Sequence, residues 1–379
     1  MANNSNEMMQ IQSLIREDES LALRIATANV PDLRDSDVLV RIEAAPINPS
    51  DLGVLFGPAD MEAASYSEDA GSPVVNAPIA SHLMPSVEGR IGQSMPVGNE
   101  GAGVVVATGD SEEAQKLLGS VVGFAGGGTY SEYKRVRADQ CIVVPDGTSP
   151  AQSASCFVNP MTVLGFVGTM RREGHSAIVH TAAASNLGQM LQKVALEEEF
   201  DLVNIVRSSE QEEILRSIGA TFICNSSSDT FKSDLTEALI QTGATLGFDA
   251  TGGGKLTNDI LACMERAAIS TSPGFSRYGS TVHKQVYIYG GLDRNPTVLN
   301  RSYGMAWGIG GWLLTPYLQI AGAEEAQNMR ERVAASITTT FASSYVQEVS
   351  LSQALAREAV DEYRKQATGQ KFLINPSLQ

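Results

Sequence analysis

Ala177-Ile-Val-His-Thr-Ala-Ala-Ala-Ser-Asn-Leu-Gly188 reads as a short apolar run, a turn of very small residues and the start of an amphipathic run. A strand, tight turn and helix of this kind hold a dinucleotide pyrophosphate against helix N-terminal amides. The usual G-x-G-x-x-G is degenerate, since Ala183-Ala184-Ser185-Asn186-Leu187-Gly188 keeps only the third glycine. Its surroundings carry the reading. Leu187, Met190, Leu191, Val194 and Ala195 recur at helical spacing, and Leu202-Val-Asn-Ile-Val206 reads as the next buried strand. The same small residues would equally let an ordinary βαβ unit pack helix on strand with no ligand. Ala183, Ser185, Asn186, Leu187 and Gly188 are the candidate cofactor contacts.

About twenty residues past the glycine turn, a unit that binds NAD places an acid on the ribose 2′-hydroxyl, whereas a cation there accommodates a 2′-phosphate. This chain has Asn204-Ile-Val-Arg207-Ser-Ser209 at that distance. Guanidinium geometry matches phosphate oxygens and the serine hydroxyls add donors, so Arg207 and Ser208 point to NADP. The competing role for Arg207 is a surface ion pair with Glu210 or Glu212.

The same alternation runs on. Thr221 to Cys224, Thr245 to Asp249 and Val286 to Tyr289 read as further strands, the last closed by Gly290 and Gly291, with Leu235, Ala238 and Leu239 striping a helix between. Such order implies a parallel sheet with helices on both faces. Earlier, Val38 to Glu43, Val97 to Gly109 and Gly123 to Val136 read as strands dense in glycine, which suggests a bent, barrel-like β domain. Lys371 to Ile374 reads as a final strand. Pro58 to Pro96 and Ser270 to Lys284 read as insertions, either surface loops or a lid.

At 379 residues, two domains are expected. A net charge of −16 with no basic cluster argues against nucleic-acid and anionic-membrane partners. Cys141, Cys156, Cys224 and Cys263 are scattered without metal or redox spacing and read as buried, reduced thiols. The N-terminal residues do not resemble a secretion signal, so the expected location is cytoplasmic. Tyr303 to Ala323 lacks charge over a membrane-spanning length, yet five glycines and Pro316 interrupt it. A buried helix or subunit contact is the expectation there.

Ile47-Asn-Pro-Ser-Asp51, then Pro96-Val-Gly-Asn-Glu-Gly-Ala-Gly103, Gly128-Thr-Tyr-Ser-Glu-Tyr133, Val158-Asn-Pro-Met-Thr162 and Thr368-Gly-Gln-Lys-Phe-Leu373 occur in order. As a set they resemble the medium-chain dehydrogenase/reductase superfamily, and within it the zinc-free quinone oxidoreductases and 2-enoyl thioester reductases. The resemblance implies an α/β protein, a GroES-like β-rich catalytic domain (1–155 and 335–379) with a Rossmann doubly wound parallel-sheet domain that binds NADP (156–334). It also implies a homodimer, and adds Asn159, Thr162, Gly290 and Gly291 to the cofactor contacts.

Departures from the pattern matter as much. Zinc-dependent alcohol dehydrogenases place Cys at the position of Asn48, His at Asn99 and a third ligand near Asn159; asparagine amides are poor zinc ligands. Without a Lewis acid, the expected chemistry is NADPH-dependent hydride transfer to a quinone or α,β-unsaturated carbonyl, with hydrogen-bond donors stabilising the charge on oxygen. Asn48 is the candidate donor and Asp51 its orienter, although Asn48 also suits a turn before Pro49. Where enoyl reductases carry a catalytic tyrosine after the glycine matching Gly57, this chain has Ala59; Tyr66 is the candidate substitute. His180 is expected to pack beside the nucleotide turn. The alternatives are a 2-enoyl thioester reductase and a non-catalytic NADPH-binding protein.

Overall fold

The computed structural model describes residues 7–272 and 274–378. It divides into two compact units, Met1–Val158 with Arg330–Gln379, and Asn159–Met329.

The second unit grows from apolar runs too short for helices. Ala177–His180 (β1), Asp201–Val206 (β2), Phe222–Asn225 (β3), Leu246–Asp249 (β4), Lys284–Ile288 (β5) and Trp307–Gly311 (β6) form one parallel sheet in the order β3-β2-β1-β4-β5-β6. That is the doubly wound dinucleotide-binding order, with its reversal between β1 and β4. The helices are α1 (Val158–Arg172), α2 (Asn186–Glu197), α3 (Ser209–Ser217), α4 (Phe231–Thr242), α5 (Leu256–Ser270) and α6 (Leu314–Ala321). One face packs Val179, Val203 and Ile205 against Phe231, Leu235, Ile260 and Met264 of α4 and α5. On the other, Phe166 of α1 stacks on Phe248 at 3.8 Å, and Gln192 of α2 accepts from Asn204 Nδ2 at 2.8 Å. Successive strand residues point to opposite faces, so helices cover both.

The first unit is β-rich. Asp37–Pro46 alternates Val38, Val40 and Ile42 inward and pairs antiparallel with Glu100–Thr108, Tyr133–Arg137 and Phe372–Ile374. Register shifts at Leu39/Val40 and Ile42/Ala44 interrupt its ladder with Glu100–Thr108. A second sheet contains Glu7–Ile15 paired along its length with Ser20–Asn29, a hairpin that sequence reasoning did not find.

Three expectations are corrected here. Pro58 to Pro96 is not an unstructured loop: Ser72–Pro78 pairs with Ser20–Asn29, Ser94–Pro96 pairs with Glu7–Ile15, and Met61, Val75 and Val87 join the core. Tyr303 to Ala323 is not one buried helix; it contributes edge strand β6 and then α6, whose Ile320 is exposed. Cys141 is only partly buried, while the other three cysteines are buried and all four are free. Among the described residues no helix is long and apolar enough to cross a membrane.

Candidate cofactor and substrate sites

In the second unit, the turn after β1 is built by backbone rather than by side chains. Ala183 and Leu187 are buried, so they offer a ligand only their main-chain groups. The Ala183 amide donates to the Ile205 carbonyl at 3.2 Å, tying the turn to β2. Ser185 caps α2, its Oγ accepting from the Gly188 amide at 3.1 Å. A Cβ on Gly188 would lie 2.1 Å from the Ala183 carbonyl oxygen, so the one retained glycine is required by the approach of helix to turn. Ala182 holds φ at 51°, an unusual conformation for a side chain with a Cβ. Asn186, at the start of α2, accepts from Asn159 Nδ2 at 2.8 Å, and Thr162 lies buried one turn along α1.

Arg207 follows β2 and is exposed. Its backbone is fixed, the amide donating to Gln211 Oε1 and the carbonyl accepting from Ser227 Oγ. Its guanidinium makes no ion pair among the described residues. Glu212 instead faces Arg216 and Asn225, and Ser208, which caps α3, holds Glu210 below the usual carboxylate range. Gly290 and Gly291 line a cavity of about 510 Å³ with Tyr289, Gly311 and Trp312, beyond the C-terminal ends of β5 and β6. His180 is completely buried, shares a 2.7 Å hydrogen bond with Tyr289 Oη, and burial pushes it down to about 3, so it stays neutral. A capped helix N-terminus, a turn with no room for side chains and a free guanidinium beyond β2 fit a dinucleotide bearing a 2′-phosphate.

In the first unit, Asn48 precedes a turn of 3₁₀ helix, Pro49–Asp51. Its amide donates to Asp51 Oδ2 at 2.7 Å, while its side-chain Nδ2 donates to Glu100 Oε1 at 2.8 Å. Asp51 therefore holds the Asn48 backbone, and Glu100 holds the carboxamide. The other Glu100 oxygen accepts from the amides of Phe157 and Val158, both at 2.8 Å. Glu100 was missed as a site residue, although a carboxylate inside the apolar run Val97 to Val106 had to find buried partners. Asn48 Oδ1 and Asp51 Oδ1 are buried without partners, and burial pushes Asp51 up to about 7. Tyr66 makes no hydrogen bond to this group. Its ring sits 4.3 Å from the Arg357 guanidinium, and its buried Oη has no partner. Asn99 Nδ2 lies 3.4 Å from Ser50 Oγ. No group of three His, Cys, Asp or Glu side chains suited to a metal occurs among the described residues.

No family model matches the chain. It is 26% identical over 291 residues to the mitochondrial enoyl-[acyl-carrier-protein] reductase of Xenopus tropicalis, an alignment covering 73% of this chain and 68% of that protein. A Mesorhizobium loti structure named as an NADPH:quinone reductase superposes with a TM-score of 0.73 at 24% identity, covering 99% of this chain and all of that one. Escherichia coli quinone oxidoreductase, solved with NADPH, gives a TM-score of 0.67 at 18% identity over 97% of this chain and 100% of its own. These relatives and structural neighbours are medium-chain dehydrogenases/reductases. Within that superfamily they are quinone oxidoreductases and enoyl reductases of the zinc-free branch.

Proposed function

We propose that this chain is a medium-chain dehydrogenase/reductase, an NADPH-dependent oxidoreductase that reduces a quinone or an α,β-unsaturated carbonyl without zinc. The observation that carries the reading is the unpaired guanidinium of Arg207 at the end of β2, beside a turn whose glycine and cap leave main chain for a pyrophosphate. Asn159, Thr162, Ser185, Asn186, Ser208, Gly290 and Gly291 complete the proposed contacts. Bound NADPH supplies a hydride from its nicotinamide ring. The chain's own task is to hold the coenzyme and to stabilise negative charge developing on the substrate oxygen. Asn48 Nδ2 carries two hydrogens and spends one on Glu100, which leaves one to donate. Solvent supplies the proton in this reading. Tyr66 is a secondary proposal, because its hydroxyl lacks a partner and burial raises its pKa, so it keeps its proton.

Oxidation of NADPH against a panel of quinones and enones tests the proposal. Turnover on either class, reduced about 10²-fold or more in Asn48→Ala as when an oxyanion donor is removed, is the expected result. Unaltered kcat in Tyr66→Phe would remove that residue from the mechanism. The second reading, a 2-enoyl thioester reductase, rests on the name of the frog relative; turnover on crotonyl thioesters alone would favour it. Tight NADPH binding with no turnover on any acceptor would mark a coenzyme-binding protein. A cytoplasmic homodimer completes the proposal, consistent with the free cysteines and the open edge of β6.

A further inference from the structure

The sheet order reverses between β1 and β4, so the connections leaving these adjacent strands run to opposite sides and open a crevice at their C-terminal ends. Two residues bridge it. Thr181 immediately follows β1, and Asp249 ends β4; both are completely buried. Asp249 Oδ1 accepts from Thr181 Oγ and from the Thr251 amide, each at 2.8 Å, and Oδ2 accepts from Thr257 Oγ on α5 at 2.6 Å. Thr181 Oγ in turn accepts from the Ala250 amide at 2.8 Å. No cation pairs with Asp249 among the described residues. A buried carboxylate satisfied wholly by hydroxyls and amides is a rigid strut.

What the strut holds is informative. On one side, Thr181 precedes Ala182, the turn residue at φ 51°, which persists only if its surroundings over-determine it. On the other, Ala250 and Thr251 carry the loop whose carbonyls receive the Leu292 and Asp293 amides, next to Gly290 and Gly291. We infer that Thr181, Asp249 and Thr257 form a clamp that sets the spacing between the turn after β1 and the loop after β4, and so positions the pyrophosphate and nicotinamide half of the coenzyme. These are positioning residues: all three are buried, and both threonines spend their hydroxyls on Asp249. The inference rests on the coenzyme reading above.

The test is binding, independent of any acceptor. NADPH and adenosine 2′,5′-bisphosphate, a fragment that lacks the pyrophosphate and nicotinamide, are titrated into the full chain and into Thr181→Val and Thr181→Ser, with melting temperatures alongside. Valine removes the hydroxyl at nearly constant volume and leaves the Ala250 amide without its acceptor; serine restores both bonds. The expected result is an NADPH Kd raised about tenfold or more in Thr181→Val, the scale of a lost buried hydrogen bond. Thr181→Ser should stay within a few-fold of the parent, and fragment binding should be equal in all three proteins. Thr257→Val, which cuts the strut at its other oxygen, should weaken NADPH in the same sense. An NADPH Kd unchanged in both valine variants, or a loss shared equally by the fragment, overturns the clamp while parental NADPH binding keeps the coenzyme reading. A parent that binds neither compound defeats both.

Discussion

Arg207 shows what a single residue reveals when its task is local. Its distance from the glycine turn was readable along the chain, and the structure removes the competing ion pair, since Glu212 is taken by Arg216 and Asn225. Arg207→Ala should weaken NADPH by about 1.5 to 3 kcal/mol, the range for a charge-assisted hydrogen bond, and leave NADH nearly unchanged. Titration of both coenzymes at one salt concentration decides it; equal parental affinities would show that Arg207 does not select the phosphate. Asp51 teaches the opposite lesson. Its expected partner was the Asn48 side chain, yet it holds the backbone, and Glu100, 52 positions away, holds the side chain. No spacing rule reaches that far. Asp51 also makes stability depend on pH. Burial raises its pKa from 3.8 to about 7, so between those values the folded chain keeps a proton that the unfolded chain has released. Stability from this group is fully present below 3.8, falls as pH rises, and is lost above about 7. Thermal melts from pH 5 to 8.5 should therefore fall less steeply for Asp51→Asn than for the parent.

At the scale of elements, the parallel strands were legible because strands buried on both faces read as unbroken apolar runs. The hairpin Glu7–Asn29 was not, because polar Gln10 and Ser13, on opposite faces of its first strand, are both buried and so hide its alternation. Pro58 to Pro96 misled for a related reason: its strands are short, with prolines at 73, 78 and 96, and only partners distant in sequence give them order. The turn after β1 lies at the legible end, and it yields a sharp expectation. Gly188→Ala forces a methyl against the Ala183 carbonyl, so it should cost about 1 to 3 kcal/mol, the usual scale of overpacking. The helix would have to retreat from the turn, and NADPH affinity should drop with the melting temperature. A variant as stable as the parent would mean that helix and turn are not so closely seated.

For the molecule as a whole, the absence of zinc chemistry is the expectation that most constrains function. The amides of Asn48 and Asn159 are committed to Glu100 and Asn186, which leaves them poorly disposed to a metal. Chelators should leave NADPH oxidation unchanged, and metal analysis of the purified protein should find no stoichiometric zinc; activity lost on metal removal and restored by zinc would contradict this.

The discontinuous first unit carries a consequence for biogenesis. Asp37–Pro46 is made early, but its partner Phe372–Ile374, with Leu373 opposite Pro46, leaves the ribosome more than 300 residues later. The contiguous unit Asn159–Met329 can collapse in the meantime, because all its sheet partners are local to it. Translation thus creates an interval in which the rest of Asp37–Pro46 can pair with Glu100–Thr108 and Tyr133–Arg137 while its Ala45–Pro46 end still waits for its partner, an exposed edge of the kind that chaperones shield and that aggregates recruit. Ending synthesis a few codons short of Phe372 would make that interval permanent.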